Sequence, residues 1–311
     1  MADDPPRQDR NSAPAGRRAD ILCIGAVLWD VIGRTPGPMH LGADVPGRIS
    51  RQPGGVALNI AMTLCRFGLT PALLTAVGRD DDGRALLAAC ARMGMMTEHV
   101  FVSDHLPTDR YMAVEGANGL IAAIADARGL EAAGERILTP LRDGTFGQPE
   151  RPHDGVIALD GNLTESLLAA IARDPAFASA DLRVAPASPG KARRLLPLLG
   201  HSRLTLYVNR EEAGLLCDST FAGAEEAARA LRARGVHRVL VTDGPHPCAL
   251  ADAAGLAIQL PPPTRAVQVT GAGDTFLAAH VAAELRGAGR MAALAAASQA
   301  AARHVSGEPP S

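Results

Sequence analysis

The sequence predicts an α/β protein of three layers, a mostly parallel sheet between two sets of helices, with a small separate β-sheet beside it as a lid. Two observations carry this. Continuous apolar runs alternate with helical patterns along most of the chain, as strands buried on both faces and their crossover helices require. Two segments, about residues 32–53 and 109–126, break the alternation and have no helix attached.

Taken in order, residues 1–19 are polar and Pro-rich and read as a disordered leader, ahead of one domain over 20–311. "DILCIGAV" is the first strand, and the Gly- and Pro-rich stretch from Ile32 to Pro53 is the first lid segment. "VALNIAMTLCRFG" places Ile60, Leu64 and Phe67 at helical spacing and stops at Gly68. "ALLTAVG" is a strand, and "GRALLAACARMG" repeats the helical design behind Asp80, Asp81 and Asp82, acids that favour a helix start without any metal. "DRYMAVEGANGLIAAIAD" reads as a hairpin turning at Ala117 to Gly119, the second lid segment. "LRDGTFGQPERPHDG" is a long surface loop, and "GVIALDG", "LRVAPA", "RLTLYVN" and "HRVLVTDG" complete the strands.

Composition narrows the function classes. With 311 residues and 47% apolar side chains the chain can bury a full core, and 31 basic against 33 acidic residues leave no field that draws in nucleic acid. "KARR" at Lys191 to Arg194 reads as the solvated face of a helix, and Lys191 is the only lysine. Cys23, Cys65, Cys90, Cys217 and Cys248 are odd in number and widely spaced, which suits reduced thiols in a cytoplasmic protein. No apolar stretch is long enough for a bilayer span.

Ligands of a parallel sheet gather beyond the carboxyl ends of its strands. Asp30, the Gly54-Gly55 pair with Asn59, Asn209 with Glu212, Thr242 with Gly244, and Gly271 to Asp274 all come after predicted strands or open helices. In "TGAGD", small residues let backbone N–H groups approach an anion at the positive end of the last long helix. A carboxylate beside a phosphate is unfavourable unless it has a task. Asp274 either takes a proton from an attacking alcohol during phosphoryl transfer or, with Thr270, caps the helix.

"GGVALNIAMTLCRFG", "AVGRDDDGRALLAACARMGM" and "VTGAGDTF" resemble the two signature regions of the PfkB (ribokinase-like) family of carbohydrate and nucleoside kinases, over about residues 20–305. The resemblance implies ATP as donor and Mg²⁺ as metal. It implies that Asp274 is the base, that Gly271, Ala272 and Gly273 form the anion hole, and that Asp30, Gly54, Gly55 and Asn59 hold the sugar. Asn209 and Glu212 match the NxxE that organises Mg²⁺ through water, and Thr242 and Gly244 match the nucleotide-phosphate loop. Two departures are present: Pro247 replaces a loop glycine, and Gln268 stands where Asp or Asn is usual, which leaves a monovalent-cation site open.

Within that family "NGLIAAIADARGLE", "LDGNLTESLL" and "SPGK" resemble pseudouridine kinases, with Asp126, Asp160, Asn162, Ser188 and Lys191 at the matching positions and Ala185 in place of an aspartate. The resemblance implies phosphorylation of a nucleoside 5′-hydroxyl, with Asn162 among the substrate contacts and a homodimer formed through the lid. A uracil-like ring offers N–H donors that Asp126 or Asn118 of the lid can accept, the other reading of Asp126 being a solvated strand end. A ribose or other sugar kinase, and a non-catalytic nucleotide-binding regulator, are the alternatives.

Overall fold

The computed structural model describes residues 18–308. The expected leader therefore lies outside the described residues, apart from Arg18 and Ala19. The chain opens with β1 (Ile21–Ile24), whose four residues are all buried. Leu22 and Ile24 join one apolar core and Ile21 and Cys23 the other, because successive strand side chains point to opposite faces. This one strand thus defines the three layers.

At Gly25 the chain leaves the main sheet, and β2 (Leu28–Arg34) already belongs to the small sheet. The lid starts four residues before the expected position 32, so Asp30 lies inside a lid strand rather than at the end of the first main strand. Strand β3 (Arg48–Gly54) returns antiparallel to β2 and feeds α1 (Val56–Arg66). The expected strand "ALLTAVG" divides at Thr75, whose buried hydroxyl donates to Gly25 O at 2.6 Å. Its first half is β4 (Pro71–Leu74) of the main sheet, and its second is β5 (Ala76–Gly78), which pairs with β6 (Phe101–Ser103).

Helix α2 (Asp81–Arg92) is capped by Asp80, which accepts from Gly83 N at 2.7 Å. Strands β7 (Arg110–Gly116) and β8 (Gly119–Asp126) form the expected hairpin and complete the lid in the order β3-β2-β7-β8. The start of α2 braces the lid. Asp82 pairs with Arg51 at 2.6 Å and Arg110 at 2.5 Å, its carbonyl accepts from the Trp29 indole at 3.0 Å, and Arg51 stacks 3.9 Å over that indole. These contacts give Asp82 a structural task.

After α3 (Arg128–Ala133) and a 3₁₀ segment the main sheet resumes with β9 (Val156–Asp160), α4 (Glu165–Ile171) and β10 (Asp181–Ala185). Next come β11 (Leu204–Asn209), α5 (Arg210–Cys217), α6 (Ala224–Ala233) and β12 (Arg238–Asp243). Two antiparallel strands that the sequence pattern did not predict, β13 (His246–Asp252) and β14 (Gly255–Gln259), extend the edge, giving β14-β13-β12-β11-β10-β9-β1-β4. Pro247 is tolerated because the ladder shifts register between Val241 and Asp243, beside it.

Helix α7 (Ala272–Leu285) buries Thr275 to Ala282 without a break. A helix apolar all round has to be covered on every side, and α7 lies between α1 and α8 (Arg290–Val305) against β10 and β11. Its N-terminus thereby reaches the carboxyl ends of the parallel strands. Among the described residues no helix is long and apolar enough to cross a membrane.

Candidate active site

Asp160 organises the cleft from below. It ends the all-buried run of β9, is 0% exposed, and accepts three backbone hydrogen bonds: Ala26 N and Ala57 N at 2.9 Å on Oδ2, and Asn162 N at 2.8 Å on Oδ1. One carboxylate therefore joins the β1–β2 turn, the start of α1 and the loop after β9. The sequence showed Asp160 only as part of a motif; its signal was an acid closing the continuous apolar run "VIALD".

Gly54 and Gly55 close the entrance to α1. A Cβ on Gly54 would lie 2.0 Å from Asp30 Oδ2, and one on Gly55 would lie 2.4 Å from Ala26 O, with φ at 101°. Only glycine permits both approaches. Asp30 is thus held over the start of α1, and burial pushes its carboxyl up to about 6.

One turn into α1, Asn59 Nδ2 donates to Asp274 Oδ2 at 2.9 Å. This contact, between residues 215 apart in sequence, links the expected sugar-binding group to the expected base. Burial pushes Asp274 up to about 7; the Asn59 hydrogen bond pulls the other way, and the negative charges of Asp160 and Glu212 add to the rise. A carboxyl near neutrality at a helix N-terminus is poised to accept a proton.

At that N-terminus Gly271 takes the left-handed conformation, φ 85°, and no side chain caps the helix. Asp274 and Thr270 are therefore not the cap that the alternative reading expected. The Ala272 amide donates to Val269 O at 3.1 Å, so it is already occupied and not a free member of the anion hole. Among the described residues the amides of Gly271, Gly273 and Asp274 have no protein acceptor, and they lie at the positive end of a 14-residue helix.

Asn209 and Glu212 form a capping box at the start of α5, with Asn209 N donating to Glu212 Oε2 and Glu212 N to Asn209 Oδ1, each at 2.8 Å. Burial raises Glu212 to about 7, and its charge is felt at Asp274. Asn209 and Thr242 are register partners at neighbouring strand ends. Gly244 and Pro245 form the two-residue turn of the β12–β13 hairpin, Gly244 with φ 55°. Among the described residues no three His, Cys, Asp or Glu side chains form a metal cage.

Asn162 lies two residues after Asp160, and Lys191 Nζ donates to its Oδ1 at 2.7 Å. Lys191 is half-buried, and its pKa is lowered by burial and by Arg194, against the pull of Asp160 and Glu131. It is not the freely solvated helix residue expected of "KARR".

Asp126 is not brought to the cleft. In the lid register Trp29 lies opposite Arg110, which lies opposite Asp126, while Asp30 belongs to the alternate set with Tyr111 and Ala125. Asp30 and Asp126 therefore occupy opposite faces of the lid. Asp126 pairs instead with Arg128 at 2.8 Å. Asn118 is also committed, exchanging two 2.8 Å hydrogen bonds with the backbone of Met39.

A pseudouridine kinase of Escherichia coli (strain K12) is 29% identical over 263 residues, 83% of this chain and 81% of its own length. A pseudouridine kinase of Arabidopsis thaliana is 27% identical over 174 residues, 56% of this chain and 44% of its own length. The structure of Arabidopsis thaliana ribokinase complexed with ribose and ATP superposes with a TM-score of 0.75, covering 93% of each chain at 19% identity, and so shares the fold. The pfkB family carbohydrate kinase profile matches residues 18–308. The chain belongs to that family, and it is a phosphotransferase with an alcohol group as acceptor.

Proposed function

We propose that the protein transfers the terminal phosphoryl group of ATP to the 5′-hydroxyl of a ribosyl nucleoside, and that this nucleoside is pseudouridine. The observation that supports the reading is the Asn59–Asp274 contact beneath the uncapped start of α7. Asp274 takes the hydroxyl proton as the oxygen attacks, and the free amides of Gly271, Gly273 and Asp274 hold the phosphoryl oxygens. Asp30, Gly54, Gly55 and Asn59 hold the ribose hydroxyls, and Asn209, Thr242 and Gly244 face the nucleotide.

The residues fit Mg²⁺, which takes one or two carboxylates with waters and substrate phosphates rather than a protein cage. Glu212 would hold it through water, its Oε2 fixed by Asn209 N. When bound, Mg²⁺ neutralises charge on the transferring phosphates. Because Glu212 is raised to about 7, Mg²⁺ affinity should strengthen as pH rises and that carboxyl ionises.

The nucleoside reading is supported by likeness to the bacterial pseudouridine kinase and by the Asn162–Lys191 pair beside Asp160. The Asn162 amide and the Lys191 ammonium offer donors to the ring carbonyls of a uracil. In a panel with Mg-ATP, pseudouridine is expected to give higher kcat/KM than uridine, ribose or fructose 6-phosphate. Lys191→Met should raise KM for the nucleoside about tenfold, the worth of a hydrogen bond to a charged group, and leave ribose turnover little changed. Ribose as the best substrate would select a sugar kinase on the same catalytic centre.

We also propose that a second copy covers the lid. Ile49, Met112 and Ile124 share one lid face and are 78%, 47% and 62% exposed, and β8 leaves an unpaired edge beside them. Sedimentation is expected to show a dimer that Ile124→Glu dissociates; a monomer at micromolar concentration would refute this.

A further inference from the structure

The last turn of α8 clasps the loop that leads into α7. Val267 N and Gln268 N donate to Val305 O at 2.8 and 3.1 Å, and His304 Nε2 contacts Thr270 O at 2.8 Å. A carbonyl oxygen can only accept, so Nε2 carries the hydrogen, and it does so in the neutral and the charged imidazole alike. The ring also sits against the turn itself: a Cβ on Gly271 would lie 3.2 Å from His304 Nε2.

We propose that His304 is a positioning residue for phosphoryl transfer, fixing the Thr270–Gly271 peptide so that the amides ahead of α7 point at the transferring group. The physical need is specific. Beyond the backbone bonds of Val267, Gln268 and Val269, side chains do little to hold this loop, since residues 260–270 are mostly exposed, Val267 at 70% and Val269 at 69%, and no side chain caps α7. A left-handed glycine has a wide conformational range. Its orientation therefore depends on what holds the peptide before it, and His304 is the only side chain that does so among the described residues. Donors aimed at developing charge work only if they are held in place beforehand.

This inference rests on reading the start of α7 as the phosphoryl cradle, so Asp274→Asn is measured alongside. His304→Ala is expected to lower kcat about tenfold, the scale of a lost orienting contact, with KM for the nucleoside unchanged and the pH profile unmoved. His304→Gln, whose amide N–H reaches the same carbonyl, should recover most of that loss, whereas a purely structural role would show in thermal stability and not in this split. If Asp274→Asn is inactive while His304→Ala turns over like the unaltered protein, or if His304→Gln is as impaired as His304→Ala, the proposal for His304 is overturned and the cradle stands. If Asp274→Asn keeps full turnover, the cradle reading itself fails. Should His304→Ala not fold, His304→Leu, which fills the space without the N–H, takes its place: kcat about tenfold lower than in His304→Gln supports the clasp, and equal turnover of the two overturns it.

Discussion

Asp274→Asn is expected to lower kcat by at least about a hundredfold while nucleotide affinity is kept, because the amide fills the same space but cannot take a proton. The geometry supplies the reason: Asp274 meets Asn59 at 2.9 Å and lies in the first turn of α7, where among the described residues the amides of Gly271, Gly273 and Asp274 have no protein acceptor. Its pKa fixes a second part of the same result. Burial holds the carboxyl at about 7, so below neutrality it is protonated and no longer a base; kcat/KM should rise with pH through about 7 and level off above. Asn59→Leu removes the hydrogen bond that favours the carboxylate, and the rising limb should move to higher pH. A flat pH profile from about 5.5 to 8.5, or near-normal turnover in Asp274→Asn, would return Asp274 to a passive role.

Asp160→Ala should cost about 3 kcal/mol or more of folding stability, since two buried backbone N–H groups and one part-buried one lose their acceptor and each unpaired buried donor costs about 1–3 kcal/mol. The donors, Ala26, Ala57 and Asn162, belong to three separate parts of the chain. The loss should thus spread beyond the site of substitution, loosening α1 and with it the Asn59–Asp274 contact. Asp160→Asn is expected to cost less: its carbonyl can replace Oδ2, which serves both Ala26 and Ala57, and only the Asn162 amide then faces a donor. Denaturant midpoints and slopes for both variants test this. Equal and small losses, under about 1 kcal/mol, would mean that water replaces the carboxylate and that Asp160 is no hub.

Local patterns made most of the main sheet legible. Runs such as "VIALD" and "LTLYV" bury every residue, and no surface strand tolerates such a run. Helix α1 was legible from its spacing and Gly68. The split at Thr75 was not, because it depends on a hydroxyl meeting Gly25 O, 50 residues away. Strand β13 was missed because Pro247 reads against a strand until the shifted register beside it is seen.

For the candidate site, sequence order and motif chemistry determined the fold class, the family resemblance and the choice of Asp274, Asn59, Asp30 and Glu212, since these rest on which groups carry charge and which residues come after each strand. Only the tertiary structure decided which of them meet. A strand reverses the facing of its side chains at every residue, so placing Asp126 across the lid from Asp30 required the pairing register of three strands. The occupied Ala272 amide, the three donors on Asp160 and the His304 contact likewise depend on hydrogen bonds of definite length and direction. Composition and spacing specify which residues can make such bonds, while the partner each one finds depends on how distant segments pack.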